Sequence, residues 1–525
     1  MDKLKKIIII LIIIISIITI LLLIPKKSKI IYLNKKLGEN IYSSNIKESE
    51  IDQKEKHKKI SKEIKKLFSL KNTINNPLII YNAYGTNKLS VNMYFYTLKD
   101  TKVTYEISAK DTNKFKKTAY ENNYKKHSIQ LIGLVAGKTN KIKITLTDKS
   151  KKTKTYDFTI KVPKMHTPIV KGIENKDNKK ELTDGLFVLF GTLKDDEMID
   201  DLYLVDNEGT IRGKFPLKHN VLLDENNTVD NIKILNNHMY YNVDYNKIVK
   251  VNRLGAVVEK YQFSDFNKHH DFTIDEKNNK MIILASENTS ATMEDMILIY
   301  DLEKKKISNI IDLKNMLEEI YLKANKVKTV YSKNKIDWIH INSIDINNDE
   351  IIISSRELSS VISIKNIYKK PTLNYILGPK ELYEKTSIKK YVYEKENDFN
   401  IHLGQHTAYF NKNQKYISLY NNNFPYSETI NWINWNQFIN ELKSFYYLYE
   451  INNKNKSFSL KSKIEVPFSA YMSSSQILNN NIIISSREPK YFGEYDSEGQ
   501  LIKKYNINQF TYRVNKYTFK DFWFI

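Results

Sequence analysis

Cysteine is absent from the 525 residues. That excludes disulfides, thiolate zinc centres and any cysteine nucleophile, and it lets an exported protein fold without oxidative machinery. Arginine is nearly absent too: Arg212, Arg253, Arg356, Arg487 and Arg513 are the only five among 83 basic residues. The net charge of +23 is therefore a lysine charge, spread among abundant Asn, Ile and Tyr, with no compact basic motif. We expect no nucleic-acid partner, only a diffuse attraction to anionic surfaces. Scarcity makes each arginine worth following, because the planar guanidinium suits carboxylate, sulfate or phosphate better than lysine does.

Long apolar runs are scarce as well. The one present, residues 7–24, is apolar except for Ser16 and Thr19 and follows Lys3, Lys5 and Lys6. It is just long enough to cross a bilayer, and neither a small-residue cleavage site nor a lipobox cysteine follows it. Residues 1–29 are read as an uncleaved signal-anchor, a single transmembrane helix leaving the rest of the chain outside the cytoplasmic membrane. Residues 30–75 read as a charged stalk with an amphipathic helix over about 48–70, where His57 is expected to be solvated. Residues 76–164 alternate apolar and polar positions between Gly, Asn and Lys turns, which suits a small immunoglobulin-like β-sandwich.

Residues 165–525 read as repeated β units. SIDINNDEIIISSRE from Ser343 returns as SQILNNNIIISSRE from Ser475, each an Asn-turned hairpin running into Ile-Ile-Ile-Ser-Ser-Arg-Glu. Histidines fall in register with it. His270 stands twelve residues before the apolar run at Ile282, His340 eleven before Ile351, and His406 ten before Tyr416. Equivalent positions on successive blades of a closed radial array face one axis. Six units fit, with the C-terminal YRVNKYTFKDFWF completing the first, so the fold class expected is all-β: a six-bladed β-propeller behind the sandwich. Two helical-looking insertions, NMLEEIYLKANKV and NWNQFINELKSF, should decorate loops.

Three histidines on one channel, with Arg356 closing the middle unit, imply a shared site. Imidazole there could be nucleophile, general acid or base, or metal ligand. With no obvious acidic ligand nearby, an anionic substrate is favoured over a metal. Asp271 and Asp337 could fix a histidine tautomer. Arg487 is expected merely to pair with Glu488, because no histidine begins its unit. His127, His166, His219 and His238 are read as structural.

HHDFTIDEKNN, DWIHINSIDINNDEIIISSRE and GQHTAYF, preceded by NPLIIYNAYGTNKLSV, resemble the bacterial aryl-sulfate sulfotransferases from about residue 76 onward. The resemblance implies transfer of a sulfuryl group from a phenolic sulfate ester to a phenol, without the nucleotide donor PAPS and without a cofactor or metal. It implies site residues His270 (or its neighbour His269), His340, Arg356 and His406, with His406, the last, carrying the sulfuryl group. Gly404, two positions earlier, would leave room for an aryl ring. His402 is out of register and read as a loop residue. Partners are then small molecules and, through the anchor, the membrane; a homodimer is left open. The competing readings are a non-catalytic, membrane-anchored binding propeller and a metal-dependent hydrolase using the three histidines.

Overall fold

In a computed structural model, the chain is described from residue 33 to 524, apart from residues 39–40, 195–196, 200, 218–230, 329–333, 412–413 and 440. The expected anchor over residues 7–24 and His219 lie outside the described residues. Among those described, no helix is long and apolar enough to cross a membrane.

The fold is all-β, a six-bladed propeller with an immunoglobulin-like domain. Blades 2, 3 and 4 use four consecutive strands from centre to rim, as in blade 4: Ile341–Asn347, Glu350–Ser355, Ser360–Lys365 and Thr372–Leu377. The innermost strands are Ile232–Leu235 in blade 2, Phe266–Asp275 in blade 3, His406–Asn411 in blade 5 and Ser474–Leu478 in blade 6. Blade 1 is closed from the other end of the chain. Phe510–Tyr517 pairs antiparallel with Leu186–Lys194, and Val170–Glu174 adds a fifth strand to the rim of blade 6. This double overlap removes free strand edges at the closure. The second strands, such as Glu350–Ser355, are buried on both faces, which is why they read as unbroken Ile runs. The first insertion forms two short helices, Leu313–Met316 and Glu318–Lys323, and the second a 3₁₀ turn, Trp435–Phe438.

The immunoglobulin-like domain turns on one long strand, Ser90–Ala109. Its first half pairs with Leu78–Tyr81 and its second with Thr139–Asp148, while Phe115–Ile132 follows it throughout. Bulges between Tyr96 and Val103 mark the change of partner, where the extra residues bend the strand. The domain does not hang free. Arg212 binds Asp206 through Nε at 2.6 Å and the carbonyls of Gly133 and Asn113 through its two terminal nitrogens. Trp523 Nε1 donates to Gln130 Oε1 at 2.9 Å, so the C-terminal tail lies in the seam. One apolar core runs from Val103 and Ile144 through Leu189 and Tyr241 to Phe522.

A free stalk is not what residues 33–75 form. Leu33–Gly38 and Ile41–Ser44 extend the immunoglobulin-like sheet, and the helix is Lys54–Leu67. Its apolar side, Ile60 and Ile64, packs on Leu78, Ile80, Tyr94 and Ala256 of both domains. His57, expected in solvent, is 1% exposed, and its Nδ1 accepts the Val257 N–H at 2.7 Å. An amphipathic pattern cannot say whether its apolar stripe meets water-filled space or a ready-made face; here the face exists.

Candidate active site

The repeat places the histidines as phased. His340 and His406 stand at the start of the innermost strands of blades 4 and 5, and His270 midway along that of blade 3. At each, the ladder is interrupted by a bulge: between Lys268 and Phe272, between Ile341 and Ser343, and between His406 and Tyr409. His270 and His340 adopt left-handed backbone at φ 49° and 48°, and in blade 5 the same corner falls on Thr407 at φ 56°. Bulges re-aim side chains. The one-residue differences in spacing arise beyond this corner, in the hairpins, because Asp275, Asp345 and Asn411 each stand five residues after their histidine. Blade 6 repeats it at Met472 and Ser473, with no histidine.

His270 and His340 meet edge to face, ring centroids 4.9 Å apart. His269 stands behind, its Nδ1 3.0 Å from Nδ1 of His270, so His270 is the member of the pair beside His340. Tyr512, from the closing strand, packs 5.8 Å from His270 on the other side. Nδ1 of His340 donates to Asp337 Oδ2 at 2.5 Å. Arg356 joins the same centre: its N–H donates to the His340 carbonyl at 3.1 Å, and Nη2 lies 3.6 Å from Asp337 Oδ2. Nε and Nη2 of Arg356 both bind Glu357 Oε1, at 3.1 and 2.7 Å. Oε2 of Glu357 is held by Ser427 Oγ at 2.6 Å and Glu428 N at 2.8 Å, which fixes the guanidinium from behind.

Asp337 therefore does what was expected of it, whereas Asp271 does not. Asp271 is buried and accepts from Asn231, from its neighbour Phe272 N and from Arg513. Arg487 pairs with Glu488 at 3.1 Å, as expected. His402 lies in the loop before blade 5, buried, with Nδ1 3.0 Å from the Tyr449 hydroxyl. Gly404 is needed for its backbone rather than for a close approach. Its φ is +60°, while an added Cβ would meet only Phe424 at ordinary contact distance.

His406 Nδ1 lies 2.8 Å from Asn422 Oδ1, and Asn422 Nδ2 donates to the carbonyls of Ser469 and Met472. Both amide hydrogens are thus committed, so Oδ1 faces the imidazole and the ring proton sits on Nδ1. Burial pushes His406 down to about 3, opposed by the Asn422 bond and reinforced by the charges of His340, Arg356 and Arg513. His340 is the reverse. Burial and Arg356 push it down, but the carboxylates of Asp337 and Glu294 prevail and raise it to about 9.

The expectation that no acidic ligand stands near the histidines is corrected by Glu294, in the loop after the second strand of blade 3. Two trios, His269–His270–Glu294 and Glu294–Asp337–His340, converge closely enough to surround an ion. Both draw on the one Glu294 carboxyl. The second is already an ion pair, its imidazolium and Arg356 supplying the positive charge, so we read both as proton-holding contacts. Glu294, Asn422 and Arg513 were missed in the sequence. For Arg513 the signal existed: it is one of only five arginines. Glu294 and Asn422 lie outside the repeated segments, and nothing in their spacing marks them.

The family model "Arylsulfotransferase (ASST)" matches residues 171–520, and "Arylsulfotransferase Ig-like domain" matches residues 78–163. The chain belongs to the arylsulfotransferase family. It is a sulfotransferase enzyme, and the bland alternative of a propeller that only binds is set aside. No curated protein matches this arylsulfotransferase. Solved structures similar to it include a putative 6-phosphogluconolactonase from Bacteroides fragilis NCTC 9343, at 9% identity over 80% of this chain and 99% of that one, TM-score 0.33. A second, from Bacteroides uniformis ATCC 8492, has 7% identity over 80% and 100%, TM-score 0.34.

Proposed function

We propose that this arylsulfotransferase moves a sulfuryl group from a phenolic sulfate ester to a phenol in two steps through His406, without PAPS. The observation that carries the reading is the opposite setting of two histidines in one site: His406 neutral, with its proton tied to Asn422, and His340 cationic. Groups whose surroundings drive their protonation apart are a nucleophile or base and an acid.

In the first step the Nε2 lone pair of His406 attacks sulfur, the S–O bond to the aryl oxygen breaks, and His340 gives its Nε2 proton to the departing phenolate. In the second, the acceptor phenol returns a proton to His340 and its oxygen takes the sulfuryl group from His406. Arg356 and the imidazolium offset charge on the sulfuryl oxygens, the larger part of catalysis for such groups. An aromatic substrate is supported beside Arg356. The loop that holds Glu357 carries Phe424 and Tyr426, ring-packed with each other at 5.8 Å, and Tyr471 lies 5.2 Å from Phe424. Tyr426 and Tyr471 are 49% and 41% exposed, so flat apolar surface is on offer.

The test is incubation with a chromogenic aryl sulfate and no acceptor. One sulfuryl group should appear on His406 by peptide mass spectrometry under mildly basic conditions. His406→Ala should abolish adduct and transfer, while His402→Ala keeps both. An adduct elsewhere, or chelator-sensitive turnover with no adduct, would overturn the reading. We further propose that residues 7–24 anchor the enzyme with residues after Ser28 outside the cytoplasmic membrane; protease added to intact spheroplasts should then digest the propeller.

A further inference from the structure

We propose that Glu294 is a positioning residue for the transfer, its carboxyl set between Nδ1 of His270 and Nδ1 of His340 so that it orients both rings and sustains the charge on His340. The inference rests on the two-step reading above.

Geometry carries it. Oε2 lies 2.8 Å from Nδ1 of His340 and Oε1 3.7 Å from Nδ1 of His270. The His340 N–H points at Asp337, so Glu294 meets that ring as a charge beside the bond rather than as its acceptor. The side chain is 3% exposed, which makes its electrostatic contacts strong and an unpaired carboxyl there expensive. Burial pushes Glu294 up, against the pull of His340.

The backbone points the same way. Glu294 stands at φ 57°, a left-handed conformation that is strained for a residue with a Cβ. Such conformations persist where the surroundings over-determine them, and they gather at functional sites. Here three bonds stitch the segment onto the one bearing His340. Met293 N–H donates to the Ile336 carbonyl at 3.0 Å, and Ile341 N–H to the Glu294 carbonyl at 3.3 Å. Trp338 Nε1 donates to Asp295 Oδ2 at 3.0 Å. Ser286 Oγ accepts the Glu294 N–H at 2.8 Å. The carboxyl is thus delivered from blade 3 to a histidine of blade 4 by a seam that leaves it little freedom.

Other charged or titratable groups face His340: Asp337 and Arg356 from its own blade, with Glu357 behind the arginine; His269 and His270 from blade 3, with Lys268 acting on those two; His406 from blade 5; and Glu428 from the loop above. Glu294→Gln changes one of these and keeps its shape. Histidine-labelled protein, with His340 assigned by its own substitution, should show the His340 titration midpoint about one unit lower in Glu294→Gln. Turnover with aryl sulfate and phenol should fall about 10- to 100-fold, the size of one charge-assisted contact, with KM changed little. Glu294→Asp should be intermediate in both, and His406 should still take up a sulfuryl group in each variant. A residue that only filled space would leave the midpoint where it was. An unmoved midpoint overturns the proposal even if turnover falls. If the natural enzyme formed no adduct, the two-step reading would fail, and the titration would still judge Glu294. Should Glu294→Gln not fold, Glu294→Asp decides, because a carboxylate one methylene shorter withdraws from His340 and must lower its midpoint.

Discussion

Asn422 Oδ1 accepts the proton on Nδ1 of His406 at 2.8 Å, and its own amide nitrogen is spent on two carbonyls. The pairing decides which ring nitrogen keeps a lone pair. Replacing Asn422 with Leu removes the acceptor and lets the other tautomer compete. Sulfuryl uptake by His406 should slow about tenfold, on the order of 1.5 kcal/mol for one buried hydrogen bond. The burst of phenol released on mixing with excess aryl sulfate measures it. An undiminished burst in a folded Asn422→Leu protein would exclude this role.

The two SSRE repeats offer an internal control. Arg356 and Arg487 occupy matching hairpins and each pairs with the next glutamate. Only Arg356 adds Asp337 and the His340 carbonyl. Lysine keeps the charge but loses the fork. Arg356→Lys should reduce turnover about a hundredfold, or ~3 kcal/mol of transition-state stabilisation, whereas Arg487→Lys should be nearly silent. Steady-state kinetics with a chromogenic aryl sulfate checks both, and equal effects would mean that the repeat misassigned the site.

These two arginines show what a sequence can and cannot deliver. The hairpin repeat, the histidine register, the closing strand and the family motifs all depend on local pattern, and the structure places those residues as the pattern implied. Asn422 and Glu294 depend on which loop reaches which ring across a blade boundary, and no periodicity encodes that. His57 failed for a related reason, because its burial needs a neighbour from blade 2. The acidic surroundings of His340 were half legible: Asp337 sits three residues away in sequence, Glu294 forty-six.

Buried histidines should make the enzyme acid-sensitive. Burial lowers His57 and His127 to about 4, and His269, His402 and His406 to about 3, while His270 falls well below its usual value. In the unfolded chain each takes a proton near 6.5. A depressed folded value means the stability is present above 6.5 and lost as pH falls towards 3 or 4. By pH 5 each fully buried one forfeits about 2 kcal/mol, at ~1.4 kcal/mol per unit. His340 has the opposite sign: its contribution is complete below 6.5 and lost as pH rises through about 9. Turnover should decline through that same alkaline window as the acid deprotonates. Urea midpoints should drop sharply between pH 6.5 and 5, and a flat profile there would contradict the burial of these rings.

The closing strand should owe its hold to one buried ion pair. Arg513 and Asp271 are both fully buried, Nη1 to Oδ2 3.2 Å, and join blade 1 to blade 3 across the channel. The same guanidinium donates to the Tyr409 hydroxyl of blade 5 at 2.9 Å and to the Asn342 carbonyl of blade 4 at 3.4 Å. Removing either charge strands the other in a place from which water is excluded. Arg513→Met or Asp271→Leu alone should therefore destabilise the propeller by about 3–5 kcal/mol. The double replacement removes both charges at once, and its loss should be well below the sum of the two singles, because contacting residues are not additive. Denaturant melts of the three variants give the coupling directly. A strictly additive result would mean that Arg513 is held by Tyr409 and Asn342, with Asp271 fixed by its other donors, and that the strand closes the ring without the pair.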